Sequence, residues 1–358
     1  MTSIASSVTA SVPVSETIGD LLDRLTTMDL KGRGAVDILY REAREQAGQS
    51  LTMRAAQEIK GRVSEGSVAV LCTGFPVRPW ISETIGETDG PPGVAALARA
   101  ISTGLRGVPL ITAPPGMRDQ VIAALRGGGV LILDPEAVQR AASGSRPTCA
   151  AAVIDFPTDA HEAAAAAENL MTTYRPSVIA ALEHPGANRM GVYHSSVGVD
   201  ISAGTAKVEA LFSLAATRHT LTMSFIDMPN EIGAAHIAAV AEAASPFAHR
   251  CACPCNGGTL GASNVDILVV GATVNWAAYA TIAALGVLLN DTSILVTQEH
   301  DRRSMEAVQW AGSLEGVSGS IWPAAGVDNI PAAMSAHVVE LIRMVAEDAI
   351  RQTPQRRF

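Results

Sequence analysis

The chain has 358 residues, 48% of them apolar but only 4% aromatic, a combination that excludes disorder and calls for an interior of Ala, Val, Leu and Ile. At roughly 100–200 residues per domain, this length suits two domains or one large α/β unit. A formal charge of −9, from 26 Lys+Arg against 35 Asp+Glu, argues against a nucleic-acid partner, because phosphate binding needs a local excess of cations.

Taken in chain order, the opening MTSIASSVTASVPVS carries no Lys or Arg and no long apolar core, so it fits neither a secretory leader nor a transit peptide. Five scattered cysteines imply no disulfide framework, and a cytoplasmic protein is expected. Val14–Arg62 reads as helical, with apolar spacing through Ile18, Leu21, Leu22 and Leu25. Strand-like runs follow at Val68–Cys72, Val108–Thr112, Gly129–Leu133, Ala151–Phe156, Ser177–Glu183, Leu221–Asp227 and Val265–Gly271. Helical stretches lie between and after them, near Pro92–Thr103, Met117–Arg126, Glu136–Ala142, Asp159–Tyr174, Thr205–Thr217, Gly233–Ala244 and Asn275–Leu289. Near-continuous apolar strands alternating with helices predict an α/β fold, with a largely parallel sheet covered by helices on both faces and a helical N-terminal segment. Ser143–Pro147 is the best candidate for an internal boundary. The apolar stretch Leu268–Leu289 is long enough to raise the transmembrane question. Asn275 near its middle and the change from β-branched to Ala-rich composition favour a buried strand followed by a buried helix, and no membrane partner is expected.

Ligands of open α/β sheets bind at the carboxyl ends of strands, which makes the loops there the places to look. Thr73-Gly74-Phe75 follows the first strand, and its loop runs on to Glu87-Thr88-Asp89-Gly90-Pro91-Pro92-Gly93. A proline pair there marks a helix start, with Thr88 or Asp89 as a simple cap in the plainest account. Glu183-His184-Pro185-Gly186 ends a second strand, Asp227-Met228-Pro229-Asn230-Glu231 a third, and Thr273-Val274-Asn275-Trp276 a fourth. Each taken alone is explained by turns and caps. Together Glu87, Asp89, Glu183, Asp227, Asn230, Glu231 and Asn275 make a carboxylate- and amide-rich site, whose hard oxygen ligands suit Mg²⁺ or Mn²⁺ better than zinc.

Other features carry less. Cys251, Cys253 and Cys255, preceded by His249, invite a metal assignment, but the tight alternation lacks the usual C-x₂-C pairs and shows no second ligand pair, so a loop with ordinary thiols is expected. Gly127-Gly128-Gly129 precedes a strand and reads as a helix stop, not a dinucleotide fingerprint; no nucleotide cofactor is expected. Ser195 and Ser196 beside His194 read as loop hydroxyls, since adjacent residues rarely form a working nucleophile and base.

The ordered motifs resemble those of the D-glutamate cyclase family. Glu87–Gly93 matches its ETDGPPG signature and Thr73-Gly74-Phe75 its TGF element; Glu183–Gly186 is similar to ERPG, and Gly198–Ile201 to the end of that loop. Asn230–Gly233 resembles the second half of GDGGNEIGMG with Asp227 on its aspartate, Val274-Asn275-Trp276 with Tyr279 resembles SNWGGY, and Val327-Asp328 a late VDG element. The likeness runs from about Gly34 onward, which divides the chain into an extension over 1–33 and a cyclase-like α/β domain over 34–358.

The resemblance implies a lyase that closes D-glutamate reversibly to 5-oxo-D-proline with release of water. Asp89, Asp227 and Glu231 are then the expected catalytic residues, and Glu87, Asp89, Asp227 and Glu231 the expected ligands of a divalent cation. Thr73, Gly74, Glu87, Thr88, Glu183, His184, His194, Ser195, Asn230, Asn275 and Trp276 are the expected contacts of an amino-acid-like substrate. The departures matter too. Met228-Pro229 replaces two family glycines, His184 and Val197 stand where the family carries arginines, and Ala277 and Ala278 replace two more glycines. Lost arginines remove bidentate carboxylate partners, so a substrate less anionic than glutamate is expected. The alternatives are a non-catalytic metabolite-binding paralogue disabled by Met228-Pro229, and hydrolysis of a cyclic amide, the same reaction reversed. A homodimer is expected on general grounds.

Overall fold

A computed structural model describes residues 14–352, and residues 1–13, which hold most of the opening stretch read as neither leader nor transit peptide, lie outside the described part. The N-terminal helical stretch resolves into α1 (Val14–Thr26), α2 (Ala35–Ala47) and α3 (Leu51–Arg62). The breaks have local causes. Gly48 takes a left-handed conformation at φ 67° to end α2, and the Ser50 hydroxyl accepts the Met53 N–H to begin α3. Buried Asp23 of α1 reinforces that start: it accepts the N–H groups of Leu51 (2.8 Å) and Thr52 (3.0 Å), the Thr52 hydroxyl and the Tyr40 hydroxyl (3.1 Å).

The strands are β1 (Val68–Cys72), β2 (Val108–Ala113), β3 (Leu131–Ile132), β4 (Ala150–Asp155), β5 (Val178–Leu182), β6 (Leu221–Ile226) and β7 (Ile267–Val270). They form one sheet in the order β3-β4-β2-β1-β5-β6-β7, and every neighbouring pair is parallel. Every residue of β1, β2, β5, β6 and β7 is buried, so both faces of the sheet are covered. The remaining helices are α4 (Pro91–Gly104), α5 (Arg118–Gly127), α6 (Pro135–Ser143), α7 (Ala160–Tyr174), α8 (Glu209–Ala215), α9 (Ala241–Ala244), α10 (Val274–Leu289), α11 (Gln298–Trp310) and α12 (Ala332–Gln352). The 143–147 segment lies in the connection between α6 and β4, and the strands before and after it belong to the same sheet.

The scarcity of aromatics follows from how α4 and α10 meet. Both are buried over almost their whole length and pack against each other. A Cβ added to Gly93 would stand 3.3 Å from the Ala278 Cβ, so the helices approach through small residues and leave no room for rings. The apolar stretch from Leu268 to Leu289 divides into β7 and α10 as expected. Among the described residues, no helix is long and apolar enough to cross a membrane.

Several sequence-based boundaries need correction. The strand expected over Gly129–Leu133 shrinks to Leu131–Ile132, an edge piece whose only partner is β4. The helix expected over Thr205–Thr217 forms only at Glu209–Ala215, because Thr205 is held in a turn by the Ile201 carbonyl. The helix expected over Gly233–Ala244 breaks into a 3₁₀ turn at Ala234–Ile237 and the single turn α9. Gly233 there sits at φ 91°, outside helical space. Helices α11 and α12 were not anticipated at all.

Asp23 offers a test of how far α1 stabilises the domain. Asp23→Ala leaves two buried backbone N–H groups without an acceptor, and a loss of about 2–3 kcal/mol in urea unfolding, followed by circular dichroism, is expected.

Candidate active site

The chain winds outward from β1 through β2 to β4 on one side, then returns to place β5 on the other side of β1. The crevice between the carboxyl ends of β1 and β5 is the topological switch point, where open α/β sheets bind ligands. Loops after β1, β5 and β6 meet there. Glu87 pairs with Leu314, Pro185 pairs with Glu231, and the N–H groups of Gly186 and Ile232 donate to the Asn230 and His184 carbonyls. Two glycines permit this approach. A Cβ on Gly90, already at φ 92°, would meet the Glu183 Cβ at 2.6 Å, and one on Gly186 would meet the Glu231 carbonyl at 2.8 Å.

Within this crossing of loops lies a cluster of carboxyl groups: Glu87, Asp89, Glu183, Asp227, Glu231 and Asp328. Asp227 is its centre. Ligand oxygens of Asp89, Asp227 and Asp328 lie within 4.8 Å of one another, and so do those of Glu183, Asp227 and Glu231. Asp89 is anchored on both oxygens, Oδ2 accepting the Val274 N–H (2.7 Å) and Oδ1 those of Asn275 (2.8 Å) and Gly90 (3.0 Å). Glu231 Oε1 accepts the N–H groups of Asp227 and Met228, each at 3.0 Å, and so closes its own loop. Asp328 sits at φ 47° on a turn shaped by buried Glu315, which accepts the N–H groups of Val317, Ser318 and Asn329.

A cleft of about 240 Å³ opens onto the cluster. That is below the roughly 300–1,000 Å³ of drug-sized sites and suits a small metabolite. Glu87, Glu183, Asp227 and Asp328 line it, with Asn230, Met228 and Ser195 to Val197, while Phe75, Pro76, Val77, Pro79 and Trp80 form an apolar wall. Two guanidinium groups reach the same cleft. Arg33 donates to the Asp328 carbonyl (3.1 Å), and Arg78 donates to the Val317 carbonyl (2.8 Å).

The structure sorts the sequence-derived residues. Of the expected catalytic set, Asp227 faces the cleft, whereas Asp89 and Glu231 stand behind its lining on backbone N–H groups. Of the expected metal set, Asp89, Asp227 and Glu231 fall in the two carboxylate triads, and Glu87 stands outside both, against Gly316. Glu87, Glu183, Ser195 and Asn230 line the cleft among the expected substrate contacts. Thr73, Gly74, Thr88, His184, His194, Asn275 and Trp276 do not. Thr88 donates its hydroxyl to the Gly326 carbonyl, and the Trp276 ring N–H donates to Ser335. Asn275 accepts the N–H groups of Gly90 (3.2 Å) and Gly93 (2.7 Å), and so is committed to the frame. Nδ1 of His184 lies 2.9 Å from the Pro185 carbonyl, and burial brings its pKa down to about 4, leaving the ring neutral. Nε2 of His194 lies against cysteine sulfurs, 3.1 Å from Cys253 Sγ.

Sequence reasoning left Asp328 out of the site, although its position in the late VDG-like element was the available signal. It also missed Arg33 and Arg78, which come from irregular segments outside every motif. Two positive groups therefore border the cleft in place of the arginines missing from the motifs.

The model of the family described as D-glutamate cyclase-like, C-terminal, matches residues 22–343. The chain belongs to the D-glutamate cyclase-like family. The match takes in all seven strands, the six carboxyl groups above and both arginines. No curated protein matches the chain.

Burial is the leading cause that lifts all these carboxyl groups above their ordinary range, and for Asp89, Glu183 and Asp227 the next is the charge of a neighbouring carboxylate. A divalent cation fits this donor set. Within the two triads, Glu183 Oε2, Glu231 Oε2 and Asp328 Oδ2 are buried with no hydrogen-bond partner, and hard cations take such oxygens. The sign of the pH effect follows: a folded pKa above the unfolded value means that stability is present at low pH and is lost as the group ionises. The loss begins above the ordinary carboxylate range and is read between about pH 5 and about pH 8. Without cations the unfolding temperature should fall across that window. Mg²⁺ should raise it more at the upper end, where its ligands are deprotonated, and Asp227→Asn should abolish the Mg²⁺ response. Thermal-shift curves at the two pH values check this, and an equal Mg²⁺ shift in the variant would refute the cation site.

Proposed function

We propose that the cleft closes a small amino acid to its lactam with release of water, and opens the lactam in the reverse direction. The observation that carries this is the pair Glu87 and Glu183, two carboxyl groups that line the cleft and each keep a buried oxygen without a partner. Family membership supports the same reaction class.

Ring closure needs two protons to pass from an ammonium nitrogen to the departing carboxylate oxygen. An ordinary carboxylate is too weak a base for the first transfer. Burial and like charge raise Glu183 well above that range, burial first and the neighbouring carboxylates after it. Glu183 takes the ammonium proton, and the freed amine attacks the side-chain carboxyl carbon. Glu183, its proton affinity raised in part by Glu87, passes that first proton to one oxygen of the attacked carboxyl group, which becomes a hydroxyl; it then takes the second proton from the ring nitrogen and gives it to the hydroxyl, and the carbon–oxygen bond breaks to release water. Arg33 and Arg78 hold the substrate carboxylates, and the free Oδ1 of Asn230 accepts an N–H of the amine. A Mg²⁺ or Mn²⁺ ion held by Asp89, Asp227 and Asp328 would supply Lewis-acid masking of carboxylate charge.

The test is turnover in both directions with the D and L forms of glutamate, their amides and their lactams, followed by chromatography. Glu183→Gln should lower kcat at least 100-fold with the fold intact, about 3 kcal/mol of transition-state stabilisation. Arg78→Ala should raise KM about tenfold or more with a smaller change in kcat. Failure of every substrate in both directions, with binding demonstrated, would overturn the proposal in favour of a metabolite-binding protein.

A further inference from the structure

Between α9 and β7 the chain runs without regular secondary structure from Ser245 to Asp266. A stretch of that length inside a compact domain needs something to hold it, and a functional reason to persist. At its centre are Cys251, Cys253 and Cys255, which lie against a residue far away in sequence. Cys251 Sγ is 3.5 Å from Cys253 Sγ and 3.4 Å from Cys255 Sγ. His194 Nε2, from the loop after β5, is 3.1 Å from Cys253 Sγ and 3.6 Å from Cys255 Sγ. All four ligand atoms lie within 4.8 Å of one another. The partner that the sequence did not show is supplied by the fold: His194, and not the adjacent His249, stands beside the three thiols.

These separations have a chemical meaning. A disulfide requires sulfurs about 2.05 Å apart. A tetrahedral zinc ion with Zn–S of about 2.3 Å and Zn–N of about 2.0–2.1 Å sets sulfur–sulfur edges near about 3.8 Å and sulfur–nitrogen edges near about 3.6 Å. Three of these edges are shorter than that frame, the His194–Cys255 edge matches it, and all are far longer than a covalent bond. N–H donors point at two of the three sulfurs as well. The Cys255 N–H donates to Cys253 Sγ (3.4 Å), the Gly257 N–H donates to Cys255 Sγ (3.4 Å), and the Asn188 amide donates to the same sulfur (3.5 Å). Such N–H donors stabilise the charge that metal-bound sulfur carries, and they orient the ligands.

We propose that Cys251, Cys253, Cys255 and His194 bind one Zn²⁺ ion in a closed tetrahedral site that serves structure. Four protein ligands leave no position open for a substrate. Soft thiolates select zinc over the hard cations suited to the carboxyl cluster, so the two sites are chemically distinct. The ion ties the irregular 245–266 segment to the loop that carries Ser195 to Val197, one wall of the cleft. That connection is visible in the packing: a Cβ on Gly198 would stand 3.0 Å from the Ala252 nitrogen and 3.5 Å from the Cys251 Cα. The His194 carbonyl accepts the Asn230 amide (3.0 Å), which places the zinc ligand one hydrogen bond from the cleft lining.

The test uses the full chain, purified under reducing conditions and analysed by elemental mass spectrometry. About one zinc per chain is expected, and Cys253→Ser and Cys255→Ser should each lose it. Asp227→Asn should retain it, which separates this site from the carboxyl cluster and makes the result independent of the proposed reaction. Because a cysteine variant may misfold, a second measurement uses the wild-type chain alone. After chelation, added Zn²⁺ should protect three thiols from a thiol reagent, and Co²⁺ should give the visible and thiolate charge-transfer bands of a tetrahedral sulfur-rich site. Reduced protein that binds no zinc would overturn the proposal. So would zinc retained by both cysteine variants, octahedral Co²⁺ spectra, or three thiols that stay fully reactive in the presence of the metal.

Discussion

The site depends on two helix starts that satisfy each other. The first N–H groups of any α-helix lack partners within the helix. Here the carboxylate of Asp89, just before α4, accepts the N–H groups of Val274 and Asn275 at the start of α10. In return, the side-chain oxygen of Asn275 accepts those of Gly90 and Gly93 at the start of α4. The exchange is reciprocal, and both helices are almost wholly buried. It places a negative charge at the positive end of α10, where the helix dipole favours it. Breaking either half leaves several buried donors unpaired at once, so this lock constrains the loop after β1 and the geometry of the cluster beyond it.

Given the lock, the cluster becomes intelligible as an arrangement of unequal carboxyl groups. Asp89 and Glu231 accept backbone N–H groups and act as walls. Glu87, Glu183, Asp227 and Asp328 face the cleft and carry the burden of like charge at close quarters. Bringing so many acidic groups together is unfavourable unless protons, cations or guanidinium groups offset the charge. Arg33 and Arg78 supply part of that offset. The unpartnered oxygens mark where the remainder must come from. The same feature that costs stability gives the site carboxyl groups that hold their protons above the ordinary carboxylate range.

The sheet was legible because its strands are buried on both faces and therefore appear as unbroken apolar runs; β1, β2, β5 and β6 fall within a residue or two of their expected bounds. Motif positions at strand ends were legible for the same reason. What sequence could not convey was side-chain commitment. Asn275 looks like a substrate ligand in a motif, yet its amide is used up by Gly90 and Gly93. His194 looks like a cleft residue beside Ser195, yet its ring turns toward cysteines 59 and 61 positions away. Arg33 and Arg78 have no periodicity or motif around them, since irregular loops carry no repeating signal. Helix α11 is polar over much of its surface, which weakens the apolar pattern by which helices are recognised.

The replacement of two family glycines by Met228-Pro229 gains a different meaning from the geometry. A glycine is required where φ is positive or where a side chain would collide. Neither Met228 nor Pro229 has a positive φ. Pro229 lacks an N–H, but its carbonyl is the group the loop uses, accepting the Gly261 N–H at 3.0 Å. Met228 keeps its N–H, which Glu231 accepts, and its side chain lines the cleft. The loop is thus held by the same glutamate that closes it from below, and both replacing residues take part in its backbone hydrogen bonds. What the substitution changes is the lining: a thioether now occupies space beside Asp227 and Asn230 that glycine would leave open. Its consequence therefore falls on the shape of the ligand and leaves the acidic frame standing.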